Sequence, residues 1–403
     1  MKEIIGGIDV PDSGYQTAKK RYDDLQEWLC DKSKSKSAEF EPHIYPQGSF
    51  RLGTAIKPFK KDDYDLDLTC KMKKGIVKEN CTQEQLKKLL GGDLEGYRIK
   101  RSIEEALESK HRCWRINYKD ELNFHIDIVP CIPSKEDIIK SLRKKILNSG
   151  ETDLIAEQVT KFAVSITDDR KPSYKSISSD WEISNPEGYA LWFENQMKQA
   201  GKLLNSIALE AKKTKIEDLP TYKWRTPLQR CVQILKRHRD IRFENDKNGK
   251  PISIIITTLA AKAYKGEDNL EDAMKGILSR MEDLVNPHGQ RVPNPVNPSE
   301  DFADKWSKDK GRKLKLEENF WKWLKWAKED FGVFESSDNI VDLVANAKSK
   351  YGVELNEGVV RKEIGASVNA LAVNKGLASQ ESKRPEPIII KSRPASPHSE
   401  RQV

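Results

Sequence analysis

The strongest constraint in this sequence is a run in which acidic and apolar residues alternate strictly: Asp63-Tyr64-Asp65-Leu66-Asp67-Leu68. A period of two belongs to a strand with one buried face. It puts Asp65 and Asp67 on one face and turns Leu66 and Leu68 into a core. Two carboxylates on one face repel each other and lose hydration, a cost that a cation between them removes. Hard oxygen donors of this kind suit Mg²⁺ or Mn²⁺. The plainer alternative is an edge strand whose acids face water.

Two further stretches favour the metal. Upstream, Tyr45-Pro46-Gln47 runs into Gly48-Ser49, and an apolar-periodic segment (Phe50, Leu52, Ala55, Ile56) reads as a helix. Glycine lets a backbone approach a ligand closely. Serine at a helix start can cap it, and the free N–H groups there attract phosphate. The Gly-x4-Gly-Lys-Ser/Thr pattern is missing, which excludes a P-loop. Downstream, Leu122-Asn123-Phe124-His125-Ile126-Asp127-Ile128-Val129-Pro130 reads as a second strand. Phe124, Ile126 and Ile128 would face the core, with His125 and Asp127 opposite. Two-metal phosphoryl transfer needs carboxylates bridging ions roughly 3.5–4 Å apart. A pair on one strand and a third acid on its neighbour can supply them. His125 is either a further ligand or a strand residue beside the site.

With Gly48-Ser49, the Asp65-x-Asp67 pair and the later Asp127, the sequence resembles the polymerase-β-like nucleotidyltransferases. Pro46-Gln47-Gly48-Ser49-Phe50-Arg51-Leu52-Gly53-Thr54, Asp63-Tyr64-Asp65-Leu66-Asp67 and His125-Ile126-Asp127-Ile128-Val129-Pro130 resemble the bacterial relatives of cyclic GMP-AMP synthase. These are the CD-NTases, which make cyclic oligonucleotide signals in antiphage defence. The resemblance implies an α+β, two-lobed fold: a twisted mixed β-sheet catalytic core and a mainly helical C-terminal lobe. It implies lobes at 1–185 and 186–375 and a disordered tail at 376–403. Asp65, Asp67 and Asp127 would be catalytic and would hold two Mg²⁺ ions, with Mn²⁺ as the alternative. Gln47, Gly48 and Ser49 would bind the nucleotide. Lys236 and Ser253 match by position the lysine and serine that hold the donor triphosphate, with Arg237 or Arg239 as alternatives to Lys236.

The implied function is a nucleotidyltransferase that joins NTPs, ATP or GTP or both, into a cyclic di- or trinucleotide and releases pyrophosphate. A downstream effector would receive the product, and a C-terminal conjugation or regulatory partner is compatible with the polar tail. Three rivals share part of the pattern. These are a template-independent RNA or oligoadenylate polymerase, a nucleotidyltransferase acting on a protein, and an inactive nucleic-acid-binding scaffold. A scaffold has no need to bring three carboxylates together.

Composition narrows the setting. With 403 residues the chain can build one large two-lobed unit. Its formal net charge of +8 suits polyanionic ligands. The six cysteines are scattered without a Cys-x-x-Cys pair, which argues against a zinc ribbon and fits a reducing compartment. No signal-peptide pattern opens the chain and no long apolar run crosses it, so a cytoplasmic location without membrane contact is expected.

The remaining segments read as framework. Tyr15, Ala18, Tyr22, Leu25 and Leu29 mark an amphipathic helix, capped by Asp12 or Ser13. Leu86, Leu89 and Leu90 predict a helix that stops at Gly91-Gly92. Ile103–His111 reads as a helix, and Cys113–Tyr118 as a strand in a hairpin with the Asp127 strand. Trp181 and Tyr189 either stack a base or fill the lobe junction. The Asn/Pro-rich stretch 286–300 predicts an irregular loop. Phe320, Trp321, Trp323, Leu324, Trp326 and Phe331 crowd one helix that should be core. The tail carries an apolar patch, Ile388–Ile390, in a composition that stays disordered.

Overall fold

A computed structural model describes residues 2–60, 62–119, 122–198, 225–336 and 340–358. The chain opens with α1 (Lys2–Ile8) and α2 (Asp12–Cys30), then β1 (Pro42–Gln47), the single turn α3 (Gly48–Arg51), β2 (Tyr64–Met72) and α4 (Gln83–Lys100). Next come β3 (Glu108–Ser109), β4 (Trp114–Tyr118), β5 (Phe124–Pro133), α5 (Glu136–Asn148), α6 (Asp153–Thr160), β6 (Val164–Ile166) and β7 (Glu182–Ser184). From there the chain is mostly helical: α7 (Pro186–Lys198), α8 (Pro227–Arg242), α9 (Ser253–Ala263) and α10 (Leu270–Arg280). A short hairpin, β8 (Pro293–Asn294) and β9 (Asn297–Asp301), precedes α11 (Asp309–Lys313), α12 (Leu316–Ser336) and α13 (Ile340–Tyr351).

The sheet runs β1-β2-β5-β4-β3, with β6 on the far part of β5 and β7 on β6. Only the β2–β5 pairing is parallel among the described strands; the others are antiparallel. A mixed sheet with helices on it and a helical lobe beyond is the α+β architecture expected from the sequence. Two apolar cores support it. One lies under the sheet, where Leu66, Leu68, Phe124, Ile126 and Ile128 meet Tyr22 and Leu25 of α2 and Leu86, Leu90 and Leu94 of α4. The other joins α8, α9, α10 and α12, and takes in Leu142 and Ile146 of α5 and Val159 of α6. Trp323 and Phe320 are fully buried there, as expected for the aromatic helix.

Several local expectations fail for identifiable reasons. Helix α4 does not stop at Gly91-Gly92. Gly91 sits where a Cβ would come 2.5 Å from the Trp114 ring, so it permits close packing on β4 rather than ending the helix. The helix runs on to Lys100, with Arg101 as C-cap and Ser102 beyond it at a φ of +53°. Residues 103–111 form no helix: the Arg98 guanidinium donates to the Ile103 carbonyl (2.7 Å), and Glu108–Ser109 pair with β4. Neither Asp12 nor Ser13 caps α2, whose N-cap is Pro11 with no side-chain hydrogen bond. The stretch 286–300 contains the β8–β9 hairpin, its turn held by the Val296 N–H on Asn294 Oδ1 (3.0 Å). Trp181 and Tyr189 are both buried, and the Tyr189 hydroxyl meets Thr258 Oγ1 at 2.8 Å, so they fill the framework. The tail 376–403 with Ile388–Ile390 lies outside the described residues.

Candidate active site

The three predicted carboxylates meet on one face of the sheet. Parallel pairing sets Asp67 of β2 directly beside Asp127 of β5, and Asp65 beside His125. On the other side of β2, the β1 register sets Gln47 beside Asp67. Gln47 is thus a neighbour of the site, but its amide turns to the Leu68 carbonyl at 3.5 Å and it does not line the cleft.

Gly48 is required twice over. Its φ is +63°, and a Cβ there would fall 2.3 Å from Asp67 Oδ2. Asp67 is therefore pressed against the turn that carries Ser49. The predicted helix after Ser49 is shorter than the apolar pattern suggested. It ends at Arg51, with Leu52 as C-cap, and Ala55 and Ile56 lie in the loop beyond.

The electrostatics of the cluster follow from crowding. Burial, then the charges of Asp127 and Asp65, push the Asp67 carboxyl up to about 7. Asp65 is pushed up too, by the cleft walls around it, although its side chain is 63% exposed; Arg115 opposes the shift. His125 is held between two acids, with Nε2 2.9 Å from Asp63 and Nδ1 3.4 Å from Asp65.

Arg115 is the site residue the sequence reading missed. Its Nε donates to Asp127 Oδ1 (2.6 Å) and its Nη2 to Oδ2 (2.8 Å). Nη2 also lies 3.7 Å from Asp65, and Nη1 3.2 Å from His125 Nδ1. The signal was available: Trp114-Arg115-Ile116 alternates, and the β4–β5 register puts Arg115 opposite Asp127.

The facing wall comes from α8 and α9. Asp65, Asp67, Gly48 and Ser49 line a cleft of 710 Å³ together with Lys236, Arg239, Asp240, Lys250 and Ser253. Lys236 is 6% exposed and its ammonium donates to the Thr54 carbonyl at 2.9 Å. Burial, then Arg239, lower its pKa to about 8 against the opposing pull of Asp240, Asp67 and Asp65. Ser253 is the first residue of α9 and accepts a hydrogen bond from Arg239 Nη1 (2.7 Å). Arg237, one alternative to Lys236, turns away: its guanidinium donates to the Lys57 carbonyl and lies over the Phe59 ring.

The loop after Gly48 is sewn to α8. Gln229 donates to the Leu52 carbonyl (2.9 Å), Gln233 to Ala55 (2.8 Å) and Lys236 to Thr54, with Arg237 on Lys57. These donors lie three to four residues apart, so one helical face holds the whole loop.

The residues present fit divalent ions. Asp67 is seated in a cradle that a Cβ at Gly48 would fill, and burial with the charges of Asp127 and Asp65 raises its carboxyl, which Arg115 of β4 offsets only in part. As the side chains stand, no group of three His, Cys, Asp or Glu among the described residues is set around an ion, and both Asp127 oxygens are taken by Arg115.

A mixed sheet with two aspartates on one strand, a third on its parallel neighbour and a Gly-Ser turn beside them defines a nucleotidyltransferase. Residues 42–131 match the family described as cyclic GMP-AMP synthase DncV-like, nucleotidyltransferase domain. These residues carry a nucleotidyltransferase domain of this family, and the chain as a whole is similar to the CD-NTases. It is 32% identical over 293 residues to a c-di-GMP synthase of Roseivirga ehrenbergii, covering 71% of this chain and 66% of that relative, just under two thirds of its length. It is 25% identical over 329 residues to the cyclic dinucleotide synthase CdnG of Bradyrhizobium diazoefficiens, covering 76% of this chain and 69% of the relative. The fold matches the structure of B. diazoefficiens CdnG in complex with GTP, with a TM-score of 0.58, 18% identity and coverage of 90% of this chain and 96% of that one. It also matches Vibrio cholerae DncV in complex with ATP and GTP, with a TM-score of 0.55, 15% identity and coverage of 88% and 95%. No helix among the described residues is long and apolar enough to cross a membrane.

Proposed function

We propose that this protein joins two nucleoside triphosphates into a cyclic dinucleotide, releasing pyrophosphate at each step, as a signal in antiphage defence. GTP is the favoured substrate, since one relative is named for c-di-GMP and a solved relative holds GTP. The observation that carries the reading is the segregation of charge across the cleft. The sheet side presents Asp62, Asp63, Asp65 and Asp67 against Arg115. The helical side presents Lys236, Arg239, Lys247 and Lys250 against Asp240, which pairs with Arg239 and Lys250, so each wall keeps a net excess of one sign. A metal-bound triphosphate is cationic on one side and anionic on the other, and fits between such walls.

Asp65, Asp67 and Asp127 would hold two divalent ions, Mg²⁺ first and Mn²⁺ second. When bound, such ions activate an acceptor hydroxyl and neutralise charge on the departing pyrophosphate. The Gly48 backbone and the Ser49 hydroxyl orient the outer phosphates. Lys236 and Ser253 approach them from the opposite wall, with Arg239 behind Ser253. A catalytic lobe over 1–185, a second lobe over 186–375 and a cytoplasmic location belong to the same reading. So does an effector that takes the product. A regulatory partner is favoured by the solved complex of Escherichia coli CdnC with a HORMA protein.

The test is to incubate the pure protein with labelled GTP, ATP or both and Mg²⁺, then treat with phosphatase. Short, resistant, cyclic products are expected. Long products would identify a polymerase, and no product in any nucleotide mixture would leave a scaffold.

A further inference from the structure

We propose that Arg115 is a latch on Asp127: in the metal-free protein it takes the cation's place, and it must let go before the third carboxylate can serve a metal. The proposal rests on the metal-binding reading of Asp65, Asp67 and Asp127.

The geometry is that of a closed fork. Nε and Nη2 of Arg115 engage the two Asp127 oxygens at 2.6 and 2.8 Å. Such bidentate, charge-assisted pairs are among the stronger hydrogen-bonded contacts in proteins. The same Nη2 leans toward Asp65 at 3.7 Å, so one guanidinium answers two of the three acids. Both partners are mostly shielded, the Arg115 side chain being 24% exposed and that of Asp127 20%. A shielded pair of this kind is weakened little by water or salt. A metal needs at least one of those oxygens, so metal and fork compete for the same atoms.

The strand pattern also gives Arg115 somewhere to go. On β4 it sits between Asp127 of β5 and Glu108 of β3, its register partner on the other side. Directly opposed residues on antiparallel strands are close enough for their side chains to meet. Glu108 is exposed on the edge strand, where Asn117 Nδ2 (2.6 Å) and Lys110 already hold its carboxylate in place. A rotation of the Arg115 side chain therefore exchanges one carboxylate for another without moving the strand. The guanidinium stays beside the site after release, available to an anionic group of the substrate.

The test uses the metal alone. Mn²⁺ is titrated into the full-length, nucleotide-free protein at pH 8, with the free ion followed by electron paramagnetic resonance. Arg115→Gln is expected to bind Mn²⁺ at least tenfold more tightly than wild type. Arg115→Lys should fall between them, because an ammonium cannot span both oxygens. Thermal melts of both variants confirm that they are folded. Unchanged or weaker Mn²⁺ binding by folded Arg115→Gln would overturn the latch, showing that the arginine is neutral toward the metal or props Asp127 for it. The Asp65→Asn/Asp67→Asn variant separates the two levels. It should lose Mn²⁺ binding; if binding persists there, the metal site itself has been misplaced and the latch falls with it.

Discussion

At Asp67 the chemistry of the site and its cost meet in one carboxyl. Its pKa of about 7 lies well above the 3.8 of an unfolded aspartate. Between those values the folded protein holds a proton that the unfolded chain has released, so the metal-free protein loses stability as pH rises from about 4 to about 7. Melting temperatures in chelator should show that decline, and Asp67→Asn should flatten it. The double variant Asp65→Asn/Asp67→Asn should abolish product formation while melting no lower than wild type at pH 7.5 without metal. A clear loss of melting temperature would mean that the acids stabilise the fold by some other route. Gly48 is the matching backbone constraint. A side chain there meets both a left-handed φ and the Asp67 carboxylate. Gly48→Ala should cost about 1–3 kcal/mol and remove most of the turnover, measured by melting and by initial rates. These residues were legible in the sequence because alternation fixes which side chains share a face. Arg115 was missed although its strand and hairpin were expected, because facing Asp127 depends on the exact β4–β5 register as well as on the pattern.

The strands of the site announced themselves and the helices less so. β2, β4 and β5 each alternate over five or more residues, and the hairpin of β4 with β5 follows from their closeness in sequence. The double glycine in α4 misled because glycine has two uses in a helix, as a stop and as a place of close approach, and only the neighbour decides. Here the neighbour is Trp114, on the strand that carries Arg115. Gly91→Ala should destabilise by about 1–3 kcal/mol through overpacking, and a denaturant midpoint would measure it. The basic run of α8 is nearly buried for two reasons. The loop 52–57 covers Lys236 and Arg237, while Arg239 is held by Asp240, Ser253 and the Pro251 carbonyl. Gln233, wholly buried on the same helix, donates to the Ala55 carbonyl and to Asp9. Gln233→Ala strands the Ala55 carbonyl, while Asp9 keeps Arg230, at a cost of about 1–3 kcal/mol. It should also raise the KM for NTP and speed hydrogen exchange at residues 54–57. Unchanged exchange would show that the remaining donors suffice.

Across the whole molecule, the two walls of the cleft make separable contributions. The sheet reaches a triphosphate through its carboxylates, whereas Lys236 brings charge from the helical side. Lys236→Ala should weaken binding of an NTP several-fold more than binding of the NDP lacking the last phosphate, and the stranded Thr54 carbonyl should cost about 1–3 kcal/mol of stability. Equal weakening would assign the γ-phosphate to Arg239 instead. Because Lys236 has a pKa of about 8, wild-type affinity should also fall as pH rises above 8, and that slope should vanish in the alanine variant. The α8 donors that sew down the loop after Gly48 also govern when activity first appears during synthesis. The carboxylates cannot assemble until β5 has been made and has found β2, a long-range parallel pairing of the slow-forming kind. The loop beside them stays loose until α8 has left the ribosome. On the proposed function, a nascent chain would therefore stay silent for more than half of its translation, and a truncated product arising before α8 would make no signal.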